Sequence, residues 1–238
     1  MIFDLRGKRR RTVQATYLTL AVLMGAGLVF FGIGSSVSGG LSDLLGGGNG
    51  KDQANTTVQK NIAAAEKKLK TNPSDPAALA ALVRGHYQLA TQKADANGNF
   101  TSGARAELQA TTDAWTRYAA AAKKVDKGIA STAIQSYTGL VQLTKDPQDQ
   151  KPLWQGAAGA AETLTQGSKS FAPFVRLVQY ASLAGETRKA DLAGKRAVEL
   201  APKKQKKQVQ QLVDQAKSAA ASQGQQPSGQ APTQTPAP

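Results

Sequence analysis

The sequence predicts an all-α protein: one membrane-spanning helix near the N-terminus, then a stack of amphipathic helices. Three observations carry that expectation. Between Arg11 and Asp43 no side chain is charged, and residues 13–33 (VQATYLTLAVLMGAGLVFFGI) reach the roughly 20 mostly apolar residues that a bilayer crossing requires. From Asn55 onward, apolar residues recur at intervals of three and four, the spacing of one helix face. Abundant alanine, 23 glycines and only 5% aromatic residues describe an Ala-rich helical chain.

Composition narrows the function classes. With no cysteine the chain has neither disulfides nor thiolate metal sites, and with His86 as its one histidine it has no site built on two imidazoles. Most zinc and triad chemistries therefore lack their raw material. No catalytic, cofactor-binding or metal-binding set is expected, and the chain does not read as an enzyme. The formal charge is +14; with five bases and one acid in the first eleven residues, +10 of it lies beyond the apolar run. Such an excess points to an anionic neighbour: lipid headgroups, anionic envelope polymer or an acidic protein. Nucleic acid is not expected for a domain that faces outward.

Taken in order, residues 1–11 form a basic end that the positive-inside bias keeps in the cytoplasm, and residues 12–34 form the transmembrane helix. The following domain is then extracytoplasmic, on the cell membrane of a bacterial envelope. A cleaved secretory signal shares the basic start, but its apolar core is about 7–15 residues, shorter than this run, so the segment is read as a retained anchor. Ala21 and Gly25 make a small-xxx-small pair that would let two such helices approach, although glycine is common in membrane helices generally. Residues 35–54 are rich in Gly and Ser and are expected to act as a flexible tether.

Residues 55–221 are read as the helical domain. A first helix carries Val58, Ile62, Ala65 and Leu69 on one face, and Asn72-Pro73-Ser74-Asp75-Pro76 ends it and caps the next. The second helix shows Leu79, Leu82, Val83, His86 and Leu89, and Asp95-Ala96-Asn97-Gly98-Asn99 marks a turn after it. A long helix over residues 103–124 should bury Leu108, Trp115, Tyr118 and Ala122. Two shorter helices flank Lys145-Asp146-Pro147, one with Ala133, Ile134, Tyr137, Leu140 and Val141, the other over residues 153–164. Residues 203–220 place Val209, Leu212, Val213 and Ala216 on one side behind Lys203, Lys204, Lys206 and Lys207, as a solvating end-cap helix should. Residues 222–238 are mainly Gln, Pro, Ser, Thr and Ala and are expected to be disordered.

One stretch carries a motif. Residues 171–202 (FAPFVRLVQYASLAGETRKADLAGKRAVELAP) resemble a tetratricopeptide repeat, the helix-turn-helix unit of about 34 residues. Phe174 stands in the Trp slot, Leu177 in the Leu slot, Gly185 at the interhelix turn, Ala190 and Ala197 at the two small positions, and Pro202 at the close. Val178 replaces the usual Gly, Ala181 the usual Tyr and Gly194 the usual aromatic. A fainter copy begins at Leu79. The resemblance implies a right-handed stack of helix pairs whose concave face holds a protein or peptide partner, with Arg84, Gln88, Arg176, Gln179 and Tyr180 as the expected partner-binding residues. It also implies a scaffold, linked by layout to secretion or envelope assembly. The alternative expectation is a basic electrostatic adaptor for anionic polymer or lipid.

Other signals have plainer readings. His86 lies in an apolar stripe and reads as a packed histidine. Asp95, Asn97 and Asn99 have the oxygen spacing that opens a calcium loop, but Phe100 stands where that loop needs Gly and Ala106 where it needs Glu. Trp115, Tyr118 and Tyr137 read as core before they read as a ligand cage.

Overall fold

Proline and aspartate set the helix starts, and the apolar stripes set what packs on what. The computed structural model describes residues 50–224, which form eight α-helices and two short 3-10 turns. The helices are α1 Gly50–Thr71, α2 Pro76–Thr91, α3 Arg105–Ala121, α4 Lys127–Gln142, α5 Pro147–Thr165, α6 Ala172–Leu183, α7 Thr187–Leu200 and α8 Lys206–Gly224. Turns at Ser102–Ala104 and Lys203–Gln205 lead into α3 and α8. The expected membrane crossing, most of the tether and residues 225–238 lie outside the described residues. Among those described, no helix is long and apolar enough to cross a membrane.

Three starts follow one rule. Asp75, Asp126 and Asp146 each sit in extended backbone and accept the first free N–H groups of α2, α4 and α5, with Pro76 and Pro147 at the opening position of two of these helices. That cap explains why α5 starts at Pro147 rather than near Leu153. Pro152 in its second turn removes one backbone hydrogen bond without ending the helix. α1 starts at Gly50, ahead of the change in periodicity at Asn55, since Lys51, Gln53 and Ala54 are good helix formers by intrinsic propensity. α8 likewise runs on to Gly224.

Each helix from α2 onward packs on the next, and α2 also meets α4 while α6 meets α8. One core runs the length of this series, from Ile62 through Leu79, Val83, Trp115, Ile129, Ala157, Ala161, Val178 and Ala197 to Val209 and Val213. Small residues set the close crossings. Gly85 faces Ile62 of α1, and Gly156 lies against the Tyr137 ring. Residues 92–104 do not merely bridge α2 and α3: Ala94 and Phe100 pair as a tight antiparallel bridge, and the Phe100 ring packs over Gly139 and beside Tyr87. With Ala90, Ala104, Leu108 and Leu140 this makes a second, smaller core. The expected stripes are otherwise in place except at Leu212, which is 41% exposed on α8 while its neighbours Val209 and Val213 are buried.

Candidate functional site

The α6–α7 hairpin is built from the motif-bearing residues. α6 ends in Gly185 at φ 75°, where the Gly185 N–H donates to the Ser182 carbonyl and the Glu186 N–H to the Ala181 carbonyl at 2.8 Å. This paired closure fills orphan helix carbonyls and turns the chain sharply into α7. Ala190 and Ala197 are buried at the crossing, as are Leu177 and Val178. Of the three departures from the expected pattern, those at Val178 and Gly194 compensate each other. A Cβ on Gly194 would stand 2.8 Å from Val213 Cγ1 and 3.7 Å from Val178 Cγ2, so an aromatic side chain at 194 has no room. Bulk that the pattern places on α7 comes here from Val178 on α6 and Val213 on α8.

Above this crossing lies a cleft of about 820 Å³ between α5, α6 and α7. Phe174, Leu177, Leu192 and Ala193 give it apolar walls, and Leu192 is 59% exposed. Lys189 stands on its polar side between Glu186 at 2.9 Å and Glu162 at 3.3 Å. Burial draws the Lys189 ammonium down, but the two carboxylates outweigh it, so its pKa stands above the usual lysine value.

A second cleft, of about 590 Å³, opens where the start of α2, the end of α3 and the start of α4 converge. Ala77, Ala80 and Ile129 line it together with Arg84, Lys123 and Lys124. Asp126 also lines it, but Oδ1 of that carboxylate already accepts from the Gly128 N–H at 2.7 Å and the Ile129 N–H at 3.1 Å.

Of the five expected partner-binding residues, Arg84 and Gln88 are exposed one turn apart on α2, and Arg84 lines the smaller cleft. Arg176 and Gln179 are exposed on α6. Tyr180 is half-buried, its ring stacked on Trp154 of α5 with centroids 6.0 Å apart. Burial raises the Tyr180 phenol pKa, with Arg176 opposing it. None of the five lines the larger cleft, and α2 and α6 form no packed pair, so these residues make two separate patches. Lys123, Lys124 and Leu192 were not expected. Leu192 had a legible signal, since it falls outside the stripe of Ala190, Ala193 and Ala197.

His86 is a partnered residue at the α2–α3 contact. Its Nδ1 lies 2.9 Å from Glu107 Oε2, and Lys93 Nζ lies 3.2 Å from Glu107 Oε1. Burial pushes the Glu107 carboxyl up, but the hydrogen bonds from His86 and Lys93 prevail and hold its pKa below the usual value. Asp95 turns its carboxylate onto the N–H groups of Asn99 and Asn97 at 2.8 and 2.9 Å, closing a turn, and these bonds lower its pKa. Among the described residues no group of three or more His, Asp or Glu side chains is placed to hold a metal ion. Lys203, Lys204, Lys206 and Lys207 are all exposed ahead of and within the first turn of α8. Compared with known proteins, the chain matches no family model, no curated protein and no solved structure.

Proposed function

We propose that this chain is a single-pass membrane protein whose tetratricopeptide-like domain holds a protein or peptide partner at the outer face of the cytoplasmic membrane and catalyses no reaction. The observation that carries the binding role is the larger cleft, where Leu192 stays in water beside Phe174 and Leu177. An apolar recess with an ion-paired rim is what an anchor side chain of a partner fills. The repeat type rests on the spacing of Phe174, Leu177, Gly185, Ala190, Ala197 and Pro202, together with the exchange of bulk between positions 178 and 194. The membrane placement rests on the basic residues before the apolar run. The layout is similar to single-pass tetratricopeptide proteins that attend bacterial secretion machinery, which makes envelope or secretion proteins the expected partner class.

Proximity labelling from the C-terminal domain in the native cell tests this. Leu192→Asp should remove labelled proteins that wild type captures, and the combined Arg84→Ala, Arg176→Ala and Tyr180→Ala variant should remove others. If neither variant changes the labelled set while neutralising the four lysines at 203, 204, 206 and 207 abolishes it, the scaffold reading fails. The electrostatic adaptor would then stand. One observation favours that second reading: among the described residues no carboxylate pairs with any of those four lysines. Binding by such a cluster should fall steeply with salt, whereas an apolar anchor should lose little.

A further inference from the structure

The smaller cleft differs from the larger one in its charge balance. Around the larger cleft, Glu162 and Glu186 answer Arg188 and Lys189, so the rim is close to neutral. Around the smaller one Arg84, Lys123 and Lys124 face a single carboxylate, Asp126, whose Oδ1 is committed to capping α4. Among the described residues no acidic side chain pairs with any of these three cations. Arg117, which donates to the Pro73 carbonyl at 3.1 Å, is a further cation and supplies no counter-charge. Three cations around one recess repel one another and favour an anionic occupant.

Resting on the scaffold reading above, we propose that this cleft receives an acidic segment of the partner chain. Carboxylates of that segment sit among Arg84, Lys123 and Lys124, and small apolar side chains of it rest on Ala77 and the edge of Ala80. Arg84, Lys123 and Lys124 are exposed at the mouth of an open recess of about 590 Å³. A chain segment can set carboxylates at that mouth and small side chains below them, which a planar lipid headgroup layer cannot do. The walls are mostly Ala, too small to give a large anchor pocket, so charge rather than bulk sets the selectivity.

The test uses the full chain in zwitterionic detergent and a blocked twelve-residue peptide of alternating Glu and Ala, with the Gln-Ala peptide as control. The acidic peptide should bind, and affinity should fall by about tenfold or more between low and half-molar salt. Combined Arg84→Gln, Lys123→Gln and Lys124→Gln should weaken it by a similar factor with the melting temperature unchanged. Neutralising Lys203, Lys204, Lys206 and Lys207 should change it by less than about threefold. Reversing the cleft with Arg84→Glu, Lys123→Glu and Lys124→Glu should transfer binding to a Lys-Ala peptide. The inference is overturned if the Gln-Ala peptide binds equally, if the cleft triple variant binds as wild type, or if phosphatidylglycerol vesicles bind through these three cations while the peptide does not. Cell labelling separates this from the scaffold reading. Loss on Leu192→Asp but not on the cleft triple variant sinks the acidic-segment inference alone, and no loss on either sinks both.

Discussion

At the scale of single residues, position 194 shows how a sequence can depart from a pattern and still pack. Replacing Gly by Ala inside a helix normally stabilises by about 0.5–1 kcal/mol. At Gly194 the new Cβ would meet Val213 Cγ1 at 2.8 Å, and the branched Val213 side chain has little rotamer freedom with which to yield. Gly194→Ala should therefore destabilise the domain by about 1 kcal/mol in urea titrations, and the sign should reverse in a Val213→Ala background. Destabilisation of equal size in both backgrounds would place the crossing elsewhere. Glu107 gives a pH signature. Its folded pKa is depressed, so its contribution is present above the ordinary carboxyl value of about 4.3 and is lost as pH falls through the lower folded value. Glu107→Gln should cost about 1 kcal/mol at neutral pH and flatten the stability profile below about pH 4.5. An unchanged acid limb would mean that the contact with His86 and Lys93 does not form in solution.

At the scale of elements, the α6–α7 hairpin depends on two small side chains and one turn. Ala190→Leu and Ala197→Leu each push methylenes into a buried crossing and should destabilise by roughly 1–3 kcal/mol. Lys203→Ala on the exposed turn should stay within about 0.5 kcal/mol. Gly185→Ala places a side chain at φ 75° and should cost about 1 kcal/mol. Thermal melts of the purified domain distinguish these cases. If the leucine variants melt with wild type, the hairpin is not packed as described.

At the scale of the whole molecule, α8 is the lid of the core. Its own Val209 and Val213 are buried on the inner face, and burial of a valine contributes about 1.5–3 kcal/mol. Ending the chain after Pro202 removes both and uncovers Val178, a loss comparable to the 5–15 kcal/mol net stability of an ordinary domain. The truncated protein should bind apolar dyes and lose its cooperative melt; a domain that still melts sharply would show α8 to be dispensable. On the proposed topology, in which the bases before Val13 keep that end inside, protease added to intact spheroplasts should remove residues after about 50 and leave a small membrane stub. Full protection would reverse the orientation.

Helix existence was legible in the chain itself, because period-3.6 stripes such as Leu79-Leu82-Val83 and caps such as Asp146-Pro147 act over a few residues. The absence of cysteine and the solitary His86 settled, without any coordinates, which chemistries have no raw material. The clefts were not legible. Each is bounded by three successive helices, and whether Lys123 comes beside Arg84, or Leu192 stays in water beside Phe174, depends on how those helices cross. Tyr180 is half-buried with its ring stacked on Trp154, a contact no local spacing encodes. Gly194 is the sharpest case: in sequence it is a missing aromatic, and in space it is the gap that Val213 requires. Periodicity and capping are local and survive as text, whereas the fit of one side chain against another depends on distances that the folded stack alone sets.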